Sequence, residues 1–131
     1  MCMNSQLSIL LVEDNALNQR IVTFSLKKYN HEVSIANNGL EAVEQFQKTS
    51  FDVILMDIMM PVMDGLEATQ KIRSIEEENK VGKRTPIIAI TANTMDNDRD
   101  KCISYGMDEF MAKPFDMEKL NSIFKQMKIL G

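Results

Sequence analysis

Histidine, cysteine and long apolar runs are all scarce in this chain. Its single histidine, His31, follows a helix end and reads as solvent-facing. The two cysteines, Cys2 and Cys102, have no metal-ligand spacing around them, which argues against a zinc or disulfide framework and fits free thiols in a reducing compartment. No apolar stretch reaches the ~20 residues of a membrane span, and the opening residues Met1 to Gln6 lack the charged and oily regions of a secretory signal. A cytoplasmic chain with no direct membrane contact is expected. Positive charge is also short: 15 basic residues against 19 acidic ones give a net charge of -4, and no Lys/Arg stripe is interleaved with aromatics. No direct nucleic-acid binding is expected on that ground. No repeat or low-complexity tract interrupts the 131 residues, of which 44% are hydrophobic. One domain over residues 7–130 is expected, after a short extension at 1–6.

What the chain does have is two oily runs that break off in acid. Ile9-Leu10-Leu11-Val12 runs into Glu13-Asp14, and Val53-Ile54-Leu55-Met56 runs into Asp57. An apolar, partly β-branched run of this length marks a strand buried on both faces, so the acids sit where each strand leaves the sheet.

Strand and helix then alternate along the chain. Asn15 can cap a helix from Ala16 to about Tyr29, with Leu17, Ile21 and Phe24 spaced for a buried stripe. A short strand, Val33 to Ala36, passes through Asn37-Asn38-Gly39 into a helix with Leu40, Val43 and Phe46 as its apolar positions. After the second oily run Pro61 breaks the chain, Asp64 caps, and Leu66, Thr69 and Ile72 form the inner face of a third helix. The charged stretch from Glu76 to Arg84 reads as a solvated helix extension and loop. Ile87 to Ile90 forms a fourth strand ending in Thr91, and Glu109 to Met111 a short fifth before Lys113-Pro114. Between them Met95 to Tyr105 reads as a loosely anchored helix, with Gly106 suited to its C-terminal cap. Asp116 caps the last helix, where Met117, Leu120, Phe124 and Met127 recur at helical spacing.

Strands separated by helices build an α/β fold, a doubly wound parallel sheet covered on both faces. With five strands the expected order is 2-1-3-4-5, the flavodoxin-like arrangement. It makes strands 1 and 3 neighbours at the switch point, where ligands bind beyond the strand carboxyl ends. Glu13, Asp14 and Asp57 would then share one crevice, with Thr91 and Lys113 on the same rim. Packed carboxylates repel, so a shared proton or a cation must sit among them, and hard oxygen ligands suit Mg²⁺. An aspartate there can act as nucleophile toward a phosphoryl donor, while an ammonium and a hydroxyl stabilise the equatorial oxygens. Asp57, alone on its strand, is the natural acceptor; Lys113 and Thr91 supply the other two groups.

Several segments carry a close resemblance to a known family: Leu11-Val12-Glu13-Asp14-Asn15 with Asn18-Gln19, Ala36-Asn37-Asn38-Gly39, Met56-Asp57 through Pro61 to Asp64-Gly65, Pro86 to Ala92, and Gly106-Met107-Asp108 leading to Lys113-Pro114-Phe115. Over nearly its whole length the chain resembles a receiver domain of the response-regulator family, most like receivers carried on hybrid sensor histidine kinases. The resemblance implies that Asp57 is the phosphoacceptor and that Glu13, Asp14, Asp57 and the Met59 backbone carbonyl hold Mg²⁺. It implies that Thr91 and Lys113 bind the phosphoryl group and that Phe110 partners Thr91 in switching, with the Met95 to Tyr105 segment shifting in response. Such a module catalyses its own aspartyl phosphorylation and dephosphorylation.

A donor module would carry its histidine on a helix face, so this chain should receive phosphate from a histidine kinase or a histidine phosphotransfer domain. Docking is expected through Ala16, Leu17 and Arg20 with Pro114 and Phe115, and the chain is expected to be the receiver end of a hybrid kinase. Two other chemistries share the architecture and fail on the residues. A flavodoxin-type carrier needs a Ser/Thr/Gly-rich phosphate cradle where this chain has Glu13-Asp14-Asn15, and an aspartate-nucleophile phosphatase needs a second Asp where Met59 stands. The remaining alternative is a receiver-shaped interaction module that is never phosphorylated.

Overall fold

Both acid-ended runs become central strands of a parallel sheet. The computed structural model describes residues 7–58, 63–79, 84–91, 100, 102–112 and 115–127. Its elements run β1 (Ser8–Val12), α1 (Ala16–Lys28), β2 (Glu32–Ala36), α2 (Gly39–Lys48), β3 (Val53–Asp57), α3 (Gly65–Asn79), β4 (Ile87–Thr91), β5 (Glu109–Ala112) and a C-terminal helix (Met117–Gln126). The five strands pair in the expected order, β2-β1-β3-β4-β5, all parallel. Among the described residues no helix is long and apolar enough to cross a membrane.

Strand alternation splits the core in two. Leu10, Val12, Ile54, Met56, Ile87 and Ala89 point toward the face covered by α2 and α3, where Val43, Leu66 and Ile72 meet them. Ile9, Leu11, Val53, Leu55, Ile88 and Ile90 point the other way, against Val22 and Leu26 of α1 and Leu120 and Phe124 of the C-terminal helix. Helix starts follow the sequence reading. The expected caps Asn15, Asp64 and Asp116, and also Asn38 within the expected turn, each accept a backbone N–H of the first turn with a side-chain oxygen, satisfying a donor that the helix itself leaves orphaned. Gly106 sits at φ 110°, a conformation that suits glycine, and ends the helical turn at 102–104 as expected.

Three expectations are corrected. First, the stripe of Leu17, Ile21 and Phe24 does not face the core: these residues are 65%, 48% and 68% exposed, and α1 buries Val22 and Leu26 instead. The apolar residues of α1 form two stripes roughly 140° apart on a helical wheel, and only one of them can meet the sheet. Second, His31 is buried rather than solvent-facing. Asn30, at φ 68°, turns the chain under the sheet, where the His31 ring packs edge-on to Phe124 with centroids 6.1 Å apart. Third, Glu76 at the start of the charged stretch is largely covered, whereas Glu77, Glu78 and Arg84 are exposed as expected. Glu76 accepts from the Arg73 guanidinium and from the Thr85 N–H, and Arg84 pairs with Asp108. On α2, Val43 is buried and Phe46 partly so, while Leu40 stays exposed. Pro61 and most of the Met95 to Tyr105 segment lie outside the described residues.

Candidate functional site

Register brings the acids together. The β1–β3 ladder pairs Val12 with Met56, so Glu13 and Asp57 leave the sheet side by side at the switch point. Glu13 and Asp57 are nearly buried, at 4% and 3% exposure, whereas Asp14 is exposed. One carboxylate oxygen from each of the three lies within 4.8 Å of the others. All three donors are hard oxygens, and like charges this close favour a cation between them; the set therefore fits Mg²⁺.

The loops that carry these acids are held by backbone geometry. Glu13 donates its N–H to the Ala36 carbonyl at 3.0 Å, and its carboxylate accepts the Asn15 N–H at 3.1 Å. The Gln19 side-chain amide donates to the Glu13 carbonyl. Across the site, Gly65 donates its N–H to the Ile58 carbonyl at 3.0 Å, and a Cβ on Gly65 would clash with the carbonyl oxygen of Asp57 itself. The start of α3 is thus pressed against the backbone of the central aspartate, which only glycine permits. Beside the acids lies a cavity of about 390 Å³ with Glu13 and Asp57 at its polar end and Leu11, Val22, Ile90 and Phe115 among its walls.

The other sequence-derived candidates distribute around this centre. Thr91 ends β4 with Ala112 as its register partner, so β4 and β5 deliver their carboxyl ends to the same rim. The side chain of Thr91, and Met59, Lys113 and Pro114, lie outside the described residues. Phe110 pairs in register with Ala89 and is partly buried against the core under α2 and α3. Ala16, Leu17 and Arg20 are exposed on α1, and Phe115 is half-buried at the cavity mouth. Sequence reasoning missed the roles of Gln19 and Gly65. Both stand inside quoted motifs, but a tertiary hydrogen bond and a backbone approach leave no periodic signal.

Known proteins share this fold. The family model described as "Response regulator receiver domain" matches residues 9–125. Histidine kinase 5 of Arabidopsis thaliana is 40% identical across 93% of this chain, which spans 16% of that kinase's length. The receiver domain of the sensor histidine kinase PA1611 from Pseudomonas aeruginosa PAO1, solved with magnesium in its active-site cleft, superposes with a TM-score of 0.81 at 40% identity, covering 92% of this chain and 96% of that one. The receiver domain of Ssk1 from Saccharomyces cerevisiae, solved with the histidine phosphotransfer protein Ypd1, gives 0.85 at 31% identity, covering 95% and 92%. A match of this extent, on a sheet whose switch point gathers three carboxylates, has one meaning: the chain belongs to the response-regulator receiver domain family of two-component phosphorelays.

Proposed function

We propose that Asp57 accepts a phosphoryl group from a phosphohistidine on a histidine kinase or a histidine phosphotransfer domain. The observation that carries this reading is the cluster of Glu13, Asp14 and Asp57 at the ends of the adjacent strands β1 and β3. An Asp57 carboxylate oxygen attacks phosphorus, the P–N bond to the donor imidazole breaks, and the imidazole leaves with the bonding pair. Glu13, Asp14, Asp57 and the Met59 carbonyl are the proposed Mg²⁺ ligands. When bound, the ion supplies positive charge that offsets repulsion between the acids and the anionic donor. Near-complete burial of Glu13 and Asp57 strengthens every such interaction, because little water screens it. Thr91 and Lys113 are the proposed partners of the phosphoryl oxygens.

Signalling follows from the same charge change. The phosphoryl group draws Thr91 inward and Phe110 follows, a two-state switch biased at the rim of β4 and β5. Docking uses the face of α1 that the core leaves uncovered. Ala16, Leu17 and Arg20 are its exposed beginning, Ile21 and Phe24 extend it, and Phe115 lines the cavity together with Ile21; Pro114 is the remaining proposed contact. The occupant is the histidine-bearing helix of the donor, in keeping with the Ypd1 complex of the Ssk1 receiver domain. The domain is proposed to cover residues 7–130 and to belong to a larger hybrid histidine kinase, in keeping with the small share of Histidine kinase 5 that it spans.

Intact mass after incubation with a small phosphodonor and Mg²⁺ tests the reading. Wild type should gain one phosphoryl group and Asp57→Asn none. A wild type that gains nothing would support the interaction module that is never phosphorylated.

A further inference from the structure

The turn between β2 and α2, Asn37-Asn38-Gly39, adds no side chain to the acidic cluster, yet it is bonded to both loops that carry it. On one side the Gln19 Nε2 donates to Asn37 Oδ1 at 2.8 Å and also to the Glu13 carbonyl, so one amide reaches from the turn to the loop of Glu13 and Asp14. Glu41 sets the orientation of Asn37. Its Oε1 accepts the Asn37 N–H at 2.9 Å and the Asn37 Nδ2 at 3.1 Å, which leaves Oδ1 facing Gln19. On the other side Gly39 donates its N–H to the Met63 carbonyl at 3.0 Å, inside the loop that joins Asp57 to α3. A Cβ on Gly39 would lie 2.5 Å from that same oxygen, so this approach requires glycine.

We infer that the Asn37-Asn38-Gly39 turn is a brace that sets the spacing of the two site loops, and that Gln19 and Asn37 are positioning residues for divalent-cation binding. The inference rests on the reading of Glu13, Asp14 and Asp57 as Mg²⁺ ligands. Mg²⁺ demands near-ideal octahedral geometry, and its carboxylates here come from two separate strand ends. Hydrogen bonds that orient ligand-bearing groups from outside cost metal affinity when they are removed. Because Gln19 Nε2 serves both Glu13 and Asn37, the brace acts as a unit rather than as two independent contacts.

Mg²⁺ titration followed by NMR on the full chain tests the brace, with Gln19→Met, Asn37→Ala and the double variant. Each single change should weaken Mg²⁺ binding about 10-fold with an unchanged melting temperature. The double variant should match the weaker single within about 2-fold, because both changes delete the same hydrogen bond. In the metal-free protein, hydrogen exchange at the Gly39 amide should accelerate in Gln19→Met, although Gln19 is not its bonding partner. Wild-type Mg²⁺ affinity in all three variants, or losses that multiply, would overturn the inference, as would unaltered Gly39 exchange. If wild type itself binds no Mg²⁺, the functional reading fails and the Gly39 exchange still decides the brace.

Discussion

The Nδ1 of His31 accepts the backbone N–H of Leu7 at 3.1 Å, at the end of the sheet away from the acids. An imidazole that accepts at Nδ1 must carry its proton on Nε2, so the native structure holds the neutral form. Burial pushes the His31 pKa below its ordinary 6.5. The unfolded chain therefore takes up this proton at a higher pH than the folded one. The contribution of His31 to stability is complete above pH 6.5 and is lost as the pH falls from there toward the depressed native value. Urea unfolding between pH 8 and pH 5 should show wild type losing stability at up to about 1.4 kcal/mol per pH unit from this group. His31→Asn should flatten that part of the slope.

Leu17 and Phe24 are the most exposed large apolar residues of α1, and the Lys28 ammonium stands 5.8 Å from the Phe24 ring centroid. Placing Asp at either position removes nothing from the core. Transfer from a phosphohistidine donor should fall at least 10-fold, in line with a loss of about 1.4 kcal/mol or more at an apolar contact. Phosphorylation by a small phosphodonor should stay near wild type. A loss in both assays would place the defect in the fold or the acidic site.

Gly65→Ala should damage the site and the fold together, since its Cβ would clash with the Asp57 carbonyl oxygen and crowd Met56 and Ile58. The expected cost is roughly 1–3 kcal/mol, measured by denaturant unfolding. Residual folded protein should bind Mg²⁺ less tightly, because α3 can no longer press on the Asp57 backbone.

Two arginines meet Asp108 with unequal weight. Arg73, with its side chain 14% exposed, contacts Asp108 at 2.6 Å and also donates to the Gly106 and Thr85 carbonyls. Arg84 reaches the same carboxylate at 2.9 Å from a side chain 55% exposed. Arg73→Ala removes one donor from each of several partly buried acceptors and should cost roughly 2–3 kcal/mol. Arg84→Ala should cost about 0.5 kcal/mol, as exposed ion pairs do. Thermal melts of the two variants check the order, and similar losses would count against it.

The strands and caps were legible because their signals are local. A run such as Val53 to Met56 suits a strand buried on both faces of a parallel sheet, and Asn15, Asp64 and Asp116 cap through neighbours two or three residues away. The acidic site was legible for the same reason, since the acids directly follow the runs. Gln19 was not, because its partners Glu13 and Asn37 lie on two different loops.

Sequence by itself determined which residues form the sheet, where its helices begin, and which acids end strands 1 and 3. Only the tertiary structure decided which stripe of α1 turns inward and that His31 goes beneath the sheet. Periodicity defines a face of a helix without naming its neighbour, and here Val22 and Leu26 pack against β1 and β3, while Leu17, Ile21 and Phe24 are left exposed. A single histidine carries no pattern at all. Its burial depends on Leu7 and Phe124, which lie far from it along the chain and meet it only once the sheet and the C-terminal helix have packed.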